Sequence, residues 1–258
     1  MRVLTLVLVG LGLSLVGGFA HRHAAQRARP LEGQARPLTP ASPLPALSPP
    51  ESKPYVFVEP LPVPGDQPIF VLRGADPRKK AVGVVLHGWC GHGLGVLQAF
   101  AHPAADAGQF LALQGDHQCG NGPLRGWTND TDGLDRRIDA AFRQYRGGEP
   151  PSEVVLMGAS QGVERAIALA RRFPAKYKRL ILLSGPSAQP AAGLRGLAGA
   201  FFLVGQNENQ WPTREMAARW KAAGIPVRLR IVAHAGHADF GADADPLMRE
   251  AFRFLGVE

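Results

Sequence analysis

The chain has 258 residues, 45% of them hydrophobic and 19% charged, which excludes a disordered or fibrous protein and is enough to build a large core. A net charge of +8 would suit an anionic partner, but the basic residues are scattered. No strip of interleaved aromatic and basic residues accompanies them, so nucleic-acid binding is not expected.

Residues 1–20 read as a secretory signal. Arg2 gives a short positive start, Val3 to Val16 form an apolar run, and Gly18-Phe19-Ala20 offers the small residues of a cleavage site. An uncleaved membrane anchor is the competing reading, and the run is at the short limit for a span. Either way the protein is expected to be exported, to the periplasm or outside the cell, with membrane contact only through this segment. Residues 21–54 carry Pro30, Pro37, Pro40, Pro43, Pro45, Pro49, Pro50 and Pro54. Proline removes backbone donors and favours extended chain, so this stretch reads as a disordered tether.

From residue 55 the pattern becomes that of one folded domain, 55–258. Short apolar runs at 55–58 and 69–72 suggest an opening antiparallel hairpin. Strands are expected at 81–86, 110–113, 154–157, 180–183, 201–204 and 227–232. Helices are expected at 94–107, 134–145, 163–172, 213–223 and 246–255. Short apolar strands alternating with amphipathic helices indicate an α/β architecture: a mostly parallel sheet covered on both faces.

The strongest local signal is Gly158-Ala159-Ser160-Gln161-Gly162, between the apolar run Val154-Val155-Leu156-Met157 and a helical pattern. Strand, G-x-S-x-G and helix together make a nucleophile elbow. The turn is so tight that the residues two before and two after the serine must be small. The helix that follows directs its positive end at the site.

A second signal is His87-Gly88-Trp89 at the end of Val82-Gly83-Val84-Val85-Leu86. Here the chain resembles the α/β-hydrolase superfamily, whose third strand commonly ends in His-Gly-x. The resemblance spans residues 55–258 and implies a sheet flanked by helices. It also implies an oxyanion hole made by the backbone N–H groups of Trp89 and Gln161. His87 itself is expected to be structural. The family order is Ser, acid, His. Of the eight histidines, His234 and His237 follow Ser160. His237, after Gly236, matches the family's base; His234 reads as a wall residue. The acid position falls in Gly205-Gln206-Asn207-Glu208, which implies Glu208 in place of the commoner Asp, with Asn207 as an uncharged alternative.

Residues 185–200 leave no room for the helical cap that many members insert, so an open site is expected, its selectivity supplied by loops. Trp127 and Trp211 are the candidate substrate contacts. Cys90 and Cys119 follow neighbouring strands at the same sheet edge, so a disulfide between two loops is expected, with two free thiols as the alternative. No metal cluster, nucleotide loop or cofactor motif occurs. The reading is therefore an exported serine hydrolase acting on a small-molecule ester or related acyl substrate. Its similarity is nearest to small carboxylesterases and dienelactone-hydrolase-like proteins. A serine peptidase of the same fold, or a catalytically inactive binding domain, are the alternatives.

Overall fold

The computed structural model describes residues 56–74, 76, 81–242 and 244–257. The expected signal at 1–20 and tether at 21–54 lie outside them. In chain order the elements are β1 (Val58–Leu61), β2 (Ile69–Leu72), β3 (Ala81–Leu86), α1 (Gly93–Gln98), α2 (Ala101–Ala107), β4 (Gly108–Ala112), β5 (His117–Gln118), β6 (Arg125–Gly126), α3 (Thr131–Arg146), β7 (Val155–Ala159), α4 (Gln161–Arg172), β8 (Arg179–Leu183), β9 (Gly199–Gly205), α5 (Trp211–Ala222), β10 (Val227–Val232) and α6 (Ala244–Leu255).

Eight strands form one sheet in the order β1-β2-β4-β3-β7-β8-β9-β10. The opening hairpin pairs antiparallel with itself and with β4, and the remaining pairings are parallel. Successive side chains of a strand face opposite ways, and the core divides accordingly. Leu156, Leu180, Leu182 and Phe202 face one layer with Ile138 and Phe142 of α3, Ile167 of α4 and Trp220 of α5. Met157, Ile181, Leu183 and Phe201 face the other, with Leu97 of α1, Ala104 of α2 and Phe252 of α6. Each such large side chain stabilises the fold by about 1.5–3 kcal/mol when fully buried.

Three expectations change. The helix expected at 94–107 breaks into α1 and α2. Phe100, at the break, leaves helical geometry and is fully buried in the second core layer. Pro103 then falls in the first turn of α2, where its missing N–H leaves no helical bond unmade. The loop expected between residues 115 and 132 contains a small antiparallel hairpin, β5–β6. The opening strand also starts at Val58, later than expected.

The basic cluster near α4 is engaged locally: Arg172 pairs with Asp132, Lys176 with Asp135 and Asp139, and Lys178 and Arg179 with Glu153. Among the described residues no helix is long and apolar enough to cross a membrane.

Candidate active site

The parallel strands end at one edge of the sheet, and the residues singled out in the sequence gather there. Ser160 stands between β7 and α4 with φ 51° and ψ −115°. An L-residue adopts this backbone only under strain. Its N–H donates to Leu183 O (2.9 Å), and its carbonyl accepts from Val163 N–H (2.9 Å). The flanking glycines are required by contact. A Cβ on Gly158 would fall 2.4 Å from Gly162 O, and one on Gly162 would fall 2.0 Å from Leu86 O. Strand and helix can pack this closely only without those side chains.

Ser160 Oγ lies 2.9 Å from His237 Nε2. His237 Nδ1 lies 2.6 Å from Glu208 Oε2. With the ring proton on Nδ1, the hydroxyl donates to the ring and the ring donates to the carboxylate. Glu208 is nearly buried while the His237 ring is about half exposed. The other oxygen of Glu208 accepts from Gly205 N–H (2.6 Å) and from Ser184 Oγ–H (2.5 Å). Asn207 is engaged elsewhere: its amide donates to His234 O (3.1 Å). The longer Glu side chain therefore spans from the loop after β9 to His237, and Asn207 does not take its place.

Ser184 was not legible as a site residue. It sits just beyond β8, is 1% exposed and has φ 57°. Its Oγ donates to Glu208 and accepts from Ala238 N–H (2.9 Å), directly after His237. One hydroxyl thus ties the acid loop to the histidine loop. The available signal was its place at the carboxyl end of a parallel strand, where sites of this architecture lie.

The loop after β3 approaches Ser160 from the other side. A Cβ on Gly88 would fall 3.2 Å from Ser160 Cβ. Trp89 follows Gly88, and Gln161 is the first residue of α4, where backbone N–H groups have no intrahelical partner. His87 is fully buried. Its Nδ1–H donates to Gly88 O (2.7 Å), and its Nε2 accepts from Gly115 N–H (3.0 Å). Burial lowers its pKa to about 4, so the ring is neutral near neutral pH. This is a structural histidine, as expected.

Cys90 and Cys119 are disulfide-bonded, with Cα atoms 5.5 Å apart. A β-bridge between Gly91 and Arg125 adds a second tie to the hairpin. Trp127 donates its indole N–H to His87 O (2.7 Å) and packs on the His87 ring at 4.8 Å. The Gln161 side chain exchanges two hydrogen bonds with the Trp127 backbone, both 3.0 Å. Trp127 is only 4% exposed. That corrects its expected place as a substrate contact: it lies beneath the loop as a prop, with its one polar group satisfied inside. Trp211, at the start of α5, is well exposed, and so is Trp89, whose ring stacks on His117 at 5.0 Å. Between β8 and β9 the chain forms turns and no helix, so no cap covers this edge there. Among the described residues no group of His, Cys, Asp and Glu could hold a metal.

No protein-family model and no curated protein matches the sequence. Solved structures do. A carboxylesterase from Bacillus cereus matches at 18% identity and a TM-score of 0.53, covering 73% of this chain and 92% of its own. The esterase PE8 matches at 20% identity and a TM-score of 0.56, covering 73% and 97%. Carboxyl esterase 2 from the mycorrhizal fungus Tuber melanosporum matches at 13% identity and 0.55, covering 84% and 93%. The shared feature is the α/β-hydrolase fold, and this chain has it.

Proposed function

We propose that the domain is an exported serine hydrolase that cleaves a carboxylic ester or related acyl bond, with Ser160 as nucleophile, His237 as base and Glu208 as acid. The observation that carries this reading is the continuous chain of short contacts from Ser160 Oγ through His237 to Glu208. A serine hydroxyl is too weak an acid to attack unaided, and a hydrogen-bonded imidazole removes that barrier.

The steps follow the geometry. His237 Nε2 takes the Ser160 proton as Oγ attacks the acyl carbon. The carbonyl oxygen becomes an oxyanion, held by the N–H groups of Trp89 and Gln161. Two such fixed donors are worth on the order of 3 kcal/mol each. The tetrahedral centre collapses, the alkoxy oxygen leaves with the proton from His237, and an acyl-serine remains. Water then attacks it, gives a proton to His237, and releases the acid as Ser160 is restored. Glu208 holds the ring in the correct tautomer and stabilises its imidazolium form.

The esterases among the structural neighbours support an ester as substrate. The Cys90–Cys119 disulfide and the apolar segment at 3–16 support export, because such bonds persist in oxidising compartments. A fluorophosphonate probe tests the reading: it is expected to label the wild-type protein and not Ser160→Ala. Equal labelling of both, or none of the wild type, would exclude a serine nucleophile at this position.

A further inference from the structure

A groove with a volume of about 320 Å³ runs between α1 and the segment after His237. Val96 and Ala99 line it from α1. Ala238 and Phe240 line it from the histidine segment, and Ala244 opens α6 beside them. Its walls are apolar or glycine except for Asp239, whose Oδ1 accepts from Gly241 N–H (2.9 Å). None of the described residues that line it is basic. The triad does not use this groove.

We propose that the groove receives the alcohol portion of the ester, and that this leaving group is small, apolar and uncharged. The inference rests on the hydrolase reading above. The direction of the reaction selects the groove. When the acyl–oxygen bond breaks, the departing oxygen takes its proton from His237 Nε2, so the departing group lies on the histidine side of the acyl carbon. The groove begins at Ala238, the residue bonded to His237. Its wall there is fixed, since Ala238 N–H is held by Ser184 Oγ. The opposite wall, α1, follows directly on the loop that carries Trp89.

Its size and lining set the class of alcohol. The volume lies at the small end for ligand sites. With a water-sized group occupying about 30 Å³, it holds roughly ten non-hydrogen atoms, enough for a benzyl or short alkyl group. Apolar walls gain from excluding water, and the Asp239 carboxylate repels an alcohol that carries its own carboxylate. The alcohol leaves neutral, by the route it entered.

The test holds the acyl group constant and varies the alcohol. Methyl butyrate, benzyl butyrate and the butyrate ester of 4-(hydroxymethyl)benzoate are compared by kcat/KM. Ala99 is exposed, so Ala99→Phe fills the groove from its solvent side without disturbing the core; Val96→Phe, at a position partly buried against the second core layer, is the second variant, its folding checked by its melting temperature. In both, the benzyl ester is expected to lose about tenfold while the methyl ester changes less than about twofold. Asp239→Asn is expected to raise the carboxylate-bearing ester about tenfold and leave the benzyl ester unchanged. Equal losses for methyl and benzyl esters would overturn the proposal. So would a change confined to acyl-chain preference, read with methyl acetate and methyl hexanoate, because the groove would then hold the acid side. Wild-type protein that hydrolyses no ester and takes no fluorophosphonate would remove the hydrolase reading itself, a distinct outcome.

Discussion

The two arms that meet at Ser160 are held in different ways. The arm after β3, with Trp89, is tied by the Cys90–Cys119 disulfide, the Gly91–Arg125 bridge, and the buried bonds of His87 and Trp127. The arm after β10, with His237, has no disulfide: hydrogen bonds join Glu208 to the ring, Ser184 to Ala238, and Gln206 and Asn207 to the His234 backbone, and Ala235 and Phe240 anchor it in the second core layer. The difference suits their proposed tasks. Oxyanion donors act through fixed position, and their benefit comes from needing no reorganisation. A base passes a proton from the nucleophile to the leaving oxygen, and the acid that orients its ring acts through a hydrogen bond.

Removing the covalent tie tests the rigid arm most severely. The disulfide links residues 29 apart in sequence, and closing a loop of that size stabilises a fold by about 3.5 kcal/mol. The double variant Cys90→Ala/Cys119→Ala is expected to melt about 10 °C lower. Measured well below that transition, kcat is expected to fall by up to about a hundredfold, because a displaced Trp89 N–H costs what a lost oxyanion donor costs. Calorimetry and ester hydrolysis read the two effects separately. An unchanged kcat in folded variant would mean that the remaining ties suffice and that the arms do not differ in this way.

The sequence makes some of this legible and conceals the rest. The elbow is plain because its glycines are forced by contacts of 2.4 Å or less, and steric necessity writes directly into residue type. The alternation of strands and helices is plain because two-sided burial demands short apolar runs. Glu208 is reachable through its place after β9, as the one carboxylate in Gly205-Gln206-Asn207-Glu208, but only the hydrogen bonds separate it from Asn207. Ser184 is hidden because serine is common and its role depends on partners at 208 and 238 in sequence. Trp127 misleads for a related reason. A tryptophan in a loop at the site edge reads as a ligand contact, and only burial with its indole N–H satisfied distinguishes a prop. The break at Phe100 is concealed because apolar spacing continues through it.

A smaller test of the rigid arm uses pH. His87 has a pKa of about 4 in the folded protein, against about 6.5 in an exposed chain. Between these values the unfolded chain binds a proton that the folded protein refuses. The stabilisation is therefore complete above about pH 6.5 and is lost as pH falls toward 4, by about 3 kcal/mol in all. The cause is local: protonated Nε2 would face the Gly115 N–H, donor against donor, in a fully buried site. Urea unfolding at pH 7 and pH 4.5 is expected to show this loss in the wild type. His87→Gln, less stable at pH 7, is expected to lose correspondingly less on acidification. An identical loss in both would show that the rigid arm does not depend on a neutral ring.

The histidine arm has the smallest expected effect and the most specific one. Ser184→Ala removes the hydroxyl that joins Glu208 to Ala238. A hydrogen bond to a charged group contributes about 1.5–3 kcal/mol, and part of that loss should appear as a roughly tenfold fall in kcat/KM. The loss is expected in kcat/KM because the acid loop and the histidine loop lose the one hydroxyl that joins them. Ser184 also carries a positive φ, so backbone strain has to be separated from the hydroxyl. Ser184→Gly relieves that strain and lacks the hydroxyl as well. If the hydroxyl matters, both variants lose kcat/KM alike, although glycine differs from alanine in stability. If only the backbone matters, Ser184→Gly keeps the wild-type kcat/KM, and the histidine arm is held by Glu208 without help from Ser184.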